Sequence, residues 1–130
     1  MSSNGPRILI VDDEPPLLRM MSLYLGRQNY QVTVASSAAK ARAELDQAPG
    51  EYAVVVLDAT LTGASLAELS AEILRGNPRT GLLVASGYPV DMSAVLAEAP
   101  GRVDFLHKPF SPEMLAKAVR RLLASKEENV

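Results

Sequence analysis

Ile8-Leu9-Ile10-Val11-Asp12-Asp13-Glu14 is the stretch that decides how this chain folds. An unbroken apolar run rich in β-branched residues reads as a strand buried on both faces, the kind found in parallel sheets. The acids that follow it mark the strand's carboxyl end. Two further runs end in the same way. Val54-Val55-Val56-Leu57 leads into Asp58, and Val103-Asp104-Phe105-Leu106-His107 leads into Lys108-Pro109. Ligands of open α/β sheets bind beyond the carboxyl ends of the strands. Asp12, Asp13, Asp58 and Lys108 therefore converge on one crevice. Acids with a cation beside them can hold a divalent metal and handle phosphate.

Strand and helix signals alternate along the rest of the chain. The first strand is about Arg7–Val11. Pro15 and Pro16 fit only the start of the helix behind it, where Leu17, Met21 and Leu25 recur at helical spacing and Gly26 is a stop. Gln31–Ala35 is a short second strand. Ser36 or Ser37 caps an alanine-rich helix running to about Ala48, before Pro49-Gly50. Tyr52–Leu57 is the most hydrophobic strand and takes a central place. A helix near Ser65–Arg75 carries Leu66, Leu69 and Ile73 and closes at Gly76-Asn77-Pro78. Gly81–Ala85 is the fourth strand, Val90–Ala99 a weaker helix with Val95 and Leu96 as core candidates, and Val103–Leu106 the fifth strand. Ser111-Pro112-Glu113 supplies a cap, a first-turn proline and an acid at the positive end of the last helix. Leu115, Val119 and Leu122 form its apolar face, and Lys117, Arg120 and Arg121 gather toward its end. This alternation implies a doubly wound α/β fold, a five-stranded parallel sheet with helices on both faces. The flavodoxin-like order 2-1-3-4-5 places Asp12/Asp13 and Asp58 on neighbouring strands.

The 130 residues suffice for one domain with a real core, expected over residues 7–124 with frayed tails at 1–6 and 125–130. A net charge of -2 gives no basic excess for nucleic acid. No apolar stretch approaches the ~20 residues needed to span a bilayer. The N-terminus lacks the pattern of a secretory signal. The absence of cysteine excludes disulfides and thiolate chemistry. A soluble, cytoplasmic protein is the expectation.

Four segments in this order, Ile10-Val11-Asp12-Asp13-Glu14, Val56-Leu57-Asp58, Ala85-Ser86-Gly87-Tyr88 and Phe105-Leu106-His107-Lys108-Pro109-Phe110, resemble the receiver domain of two-component response regulators. The resemblance covers about Arg7 to Ala124. It implies that Asp58 is the phosphoacceptor, taking a phosphoryl group from a phosphohistidine. It implies Mg²⁺ held by Asp13, Asp58 and the Thr60 backbone carbonyl, with Asp12 acting through a metal-bound water. Magnesium prefers oxygen ligands and keeps several waters, which suits such a set. Without metal, close carboxylates repel one another, and at least one pKa is expected to rise. Lys108 supplies a point charge to the phosphoryl oxygens, and Ser86 a hydroxyl hydrogen bond. Phe105 takes the aromatic switch position, and Thr60 and Tyr88 sit where this family tunes hydrolysis. The family's Lys-Pro bond is cis, so the same is expected of Lys108-Pro109.

Asp58-Ala59-Thr60-Leu61-Thr62-Gly63 departs from the family pattern. Thr62 stands where proline is usual, so this loop is expected to be less rigid. His107, the one histidine, cannot build a metal site alone and reads as structural or solvent-facing.

The receiver pattern fills the chain, so a stand-alone receiver is expected, a monomer or a phosphorylation-linked dimer. Its partners are a sensor histidine kinase or histidine phosphotransfer protein, and a downstream protein meeting the face of the fourth helix, fifth strand and fifth helix. The alternatives are the receiver part of a hybrid histidine kinase and a receiver-fold module that works without phosphorylation. A phosphatase with an aspartyl-phosphate intermediate fits poorly: Thr60 stands where its second acid belongs, and there is no room for a cap domain.

Overall fold

The computed structural model describes residues 5–128. Five strands alternate with five helices: β1 (Arg7–Val11), α1 (Pro15–Arg27), β2 (Gln31–Ala35), α2 (Ala38–Gln47), β3 (Tyr52–Asp58), α3 (Leu66–Gly76), β4 (Gly81–Ser86), α4 (Ser93–Glu98), β5 (Val103–His107) and α5 (Pro112–Glu128). All neighbouring strands run parallel in the order β2-β1-β3-β4-β5. This is the flavodoxin-like order expected from the sequence.

Side chains alternate across the sheet with the strand period of two. Leu9, Val11, Val55, Leu57, Leu82 and Val84 pack against α2, α3 and Val95 of α4. Ile8, Ile10, Val54, Val56, Leu83 and Leu106 pack against α1 and α5. Both faces of β1, β3 and β4 are therefore buried, which explains their unbroken apolar runs. Gly81 lets α5 approach closely: a Cβ there would lie 3.3 Å from that of Leu122.

Local chemistry sets the helix starts. Ser37 caps α2 by accepting the Lys40 N–H, and Ser65 caps α3 by accepting the Glu68 N–H. Met114 N–H donates to Ser111 Oγ at the start of α5.

Several local expectations are corrected. Gly26 does not stop α1; the helix runs to Arg27, and the left-handed turn falls to Asn29 at φ 70°. Asparagine is among the few side chains that tolerate that region. Leu18 rather than Leu17 is the buried residue of the first turn. α4 is shorter than Val90–Ala99, because Asp91 accepts both the N–H and the hydroxyl of Ser93 and fixes the entry there. Val95 is buried, whereas Leu96 is 44% exposed.

Gly5 and Pro6 are tied to β2, their carbonyls accepting from the Gln31 side chain and N–H. α5 continues through Glu128, with Ser125 donating to the Gly101 carbonyl. The remaining expected tails, 1–4 and 129–130, lie outside the described residues.

Candidate functional site

Asp12, Asp58 and Lys108, far apart in sequence, meet at the carboxyl edge of the sheet. Backbone ladders extended by one step hold each of them. Asp12 N–H donates to Ala35 O, Ala59 N–H to Ala85 O, and Lys108 N–H to Ser86 O, at 3.1, 2.9 and 2.9 Å. Asp12 and Asp58 are buried at 2% and 3% exposure. Lys108 Nζ lies 3.2 Å from Asp12 Oδ2, 3.3 Å from Glu14 Oε1 and 3.5 Å from Asp58 Oδ1. One ammonium thus faces three carboxylates.

Asp58 uses its two oxygens differently. Oδ1 accepts from both the N–H and the hydroxyl of Thr60, at 3.0 and 2.9 Å. Oδ2 is buried with no hydrogen-bond partner. A buried acceptor left unmatched within the chain is costly and rare, and its place in the acid cluster is compatible with a bound cation. Asp12, Glu14 and Asp58 each place one carboxylate oxygen within 4.8 Å of the others. This oxygen-only set fits Mg²⁺.

The charges are mutually tuned. Burial is the largest influence on Asp12 and pushes its carboxyl above the usual range. The Asp58 charge adds to the rise, while the Glu14 N–H and Lys108 oppose it. The rise expected from crowded acids thus falls on Asp12, with desolvation leading and repulsion second among the causes that raise it. Burial alone would lower the Lys108 pKa, but attraction to Asp12 and Asp58 and the Glu14 contact outweigh it and hold the ammonium above its ordinary value.

A family profile described as the response regulator receiver domain matches residues 8–120. The chain belongs to this family. Among its relatives, the transcriptional regulatory protein AruR of Pseudomonas aeruginosa is 30% identical over 123 residues, 91% of this chain and 49% of AruR. ResD of Bacillus subtilis is 30% identical over 121 residues, again with 49% of its length covered. The chain spans about half the length of these curated relatives. A CheY-like receiver domain protein from Methanospirillum hungatei shares the fold, with a TM-score of 0.83 at 24% identity, covering 98% of this chain and 100% of that one. The response regulator TrrA of Thermotoga maritima, solved in complex with Mg²⁺-BeF, superposes with a TM-score of 0.77 at 25% identity, covering 91% and 99%.

The other receiver positions are arranged less tightly. Ser86 is fully buried at the end of β4, but its hydroxyl is turned to its own loop, donating to Tyr88 O and accepting from Tyr88 N–H. Phe105 is half-buried on the edge strand and stacks edge-on against exposed His107 at 4.7 Å. A cavity of about 380 Å³ lined by Pro89, Val90, Met92, Phe105 and His107 lies beside the ring. Tyr88 is 71% exposed and lines a cleft with Thr60, Lys108 and Phe110. The Lys108–Pro109 bond is cis.

Asp13 stands apart from the acid cluster. It is exposed, and its Oδ2 accepts the Thr62 hydroxyl at 3.1 Å. Glu14, to which sequence reasoning gave no role, takes the third place among the acids. Its signal was present in the sequence: a third acid in the run after β1, immediately before Pro15-Pro16.

Proposed function

We propose that this receiver accepts a phosphoryl group at Asp58 from a phosphohistidine of a sensor histidine kinase or histidine phosphotransfer protein, in a Mg²⁺-dependent reaction. The unpartnered Oδ2 of buried Asp58 carries the reading. An Asp58 carboxylate oxygen attacks phosphorus, the P–N bond to the donor imidazole breaks, and its electron pair stays on the imidazole nitrogen. A carboxylate is a weak nucleophile, so positioning and charge neutralisation do most of the work.

Asp12, Asp13, Asp58 and the Thr60 carbonyl are the proposed metal-binding groups, and Glu14 lies close enough to join them. Bound Mg²⁺ supplies positive charge to the transferring oxygens. Thr60 fixes Oδ1 of the nucleophile, and Lys108 balances charge from the end of β5. Ser86 leaves its Tyr88 contacts to donate to the phosphoryl group, and Phe105 turns into the space beside it. The change is read by a protein partner on the face of α4, β5 and α5. Thr60 and exposed Tyr88 border the entry of the water that hydrolyses the aspartyl phosphate.

Intact-mass analysis after incubation with acetyl phosphate tests this. Wild type gains one phosphoryl group only with Mg²⁺, and Asp58→Asn gains none, a loss of at least about 100-fold, with the fold retained. Labelling that persists in Asp58→Asn, or that ignores Mg²⁺, overturns the assignment.

A further inference from the structure

Thr62 replaces the proline usual in this loop, and the structure gives it a task no proline could perform. Its hydroxyl reaches back across the site and donates to Asp13 Oδ2 at 3.1 Å. The next residue, Gly63, sits at φ 88°, where a side chain would be strained, so the loop turns sharply just after the contact. The acids that do gather are Asp12, Glu14 and Asp58. Asp13 is left outside that group although it lies between two of its members in sequence.

We infer that Thr62 is a positioning residue of the cation site, holding Asp13 away from the acid cluster until Mg²⁺ binds. The inference rests on the Mg²⁺ reading above. Asp13 would join the cation by giving up the Thr62 hydroxyl and turning toward the cluster. The hydroxyl contact is a charge-assisted hydrogen bond that holds in the metal-free protein and opposes metal entry. It also separates like charges, because Asp13 kept at a distance does not add to the repulsion already acting between Asp12 and Asp58. Thr62 thus lowers apparent metal affinity and keeps the metal-free site intact. The loop that carries Thr62 thereby touches the end of β1.

Mg²⁺ titration of the full chain, followed by amide NMR shifts, reads this without any phosphorylation step. Three proteins are compared: wild type, Thr62→Val and Thr62→Ser. Thr62 is exposed, so neither variant threatens the fold. Thr62→Val removes the donor and is expected to bind Mg²⁺ about three- to tenfold more tightly, the scale of one ordinary solvent-exposed hydrogen bond. Thr62→Ser keeps the donor and stays within about twofold of wild type. If Thr62→Val binds Mg²⁺ equally or more weakly while wild type binds, the positioning role is overturned and the metal site stands. If wild type shows no response to Mg²⁺, the metal reading itself falls, and this inference with it.

Discussion

The two halves of the sheet's carboxyl edge are built to different standards. At the ends of β1 and β3, buried Asp12 and Asp58 sit on strands enclosed by apolar side chains on both faces. At the β4–β5 side, Ser86 bonds to its own loop, α4 has six residues, and Phe105 lies half-buried beside open space. One half has few ways to rearrange, because close-packed interiors resist small displacements. The other contains the short helix, the exposed Leu96 and the edge strand, features of locally weak structure. The proposed phosphorylation switch would need both: fixed charges to bind the phosphoryl group, and an adjacent element whose two arrangements lie close in free energy.

This contrast can be broken from either side. Leu9 in β1 is fully buried, and Leu9→Ala should cost about 3 kcal/mol of stability in chemical denaturation. A cost below about 1 kcal/mol would show that the enclosed half yields easily. Lys108→Ala should still accept phosphate, about tenfold more slowly, but its amide shifts at Ser86 and Phe105 should no longer change on phosphorylation. Shifts that persist unchanged would remove Lys108 from the coupling between halves.

Asp12→Asn tests the electrostatic cost of the rigid half. A carboxyl whose folded-state pKa is raised favours the native state most below its unfolded pKa, and loses that contribution as pH rises through the folded value. Ionised Asp12 therefore burdens the metal-free protein at neutral pH. The variant should melt higher than wild type at pH 7 without metal, and the gap should narrow as pH falls toward about 4. It should also bind Mg²⁺ more weakly. A lower melting temperature would mean that the lost charge partner of Lys108 matters more than the relieved burial. The smallest effect belongs to α4: Leu96→Ala should change stability by less than about 0.5 kcal/mol. A larger cost would mark α4 as more firmly packed than its exposure indicates.

The legibility of the chain follows the same division. β1, β3 and β4 were readable because burial on both faces leaves an unbroken apolar run. α4 was overextended because the Asp91–Ser93 contact that fixes its entry leaves no hydrophobic signal, and Leu96 was misjudged because only packing separates it from Val95. The end of α1 was misplaced because Gly26 and Asn29 both carry turn propensity, and the left-handed residue is Asn29.

The sequence by itself determined the element order, the parallel sheet and the presence of acids and a lysine at three strand ends, since these depend on local hydrophobic period and on residue type. Tertiary structure alone decided which acids gather. Asp12 Oδ1 accepts the N–H of Glu14 at 2.9 Å, an Asx-type contact that sets residue 14 beside residue 12. Lys108, 94 residues beyond Glu14, then holds that carboxylate in the cluster. Thr62, 49 residues beyond Asp13, draws the intervening acid outward. Neighbours in sequence were sorted by partners that only the folded sheet brings near, because short-range hydrogen bonds and ion pairs act over a few ångströms of space, whatever the distance along the chain.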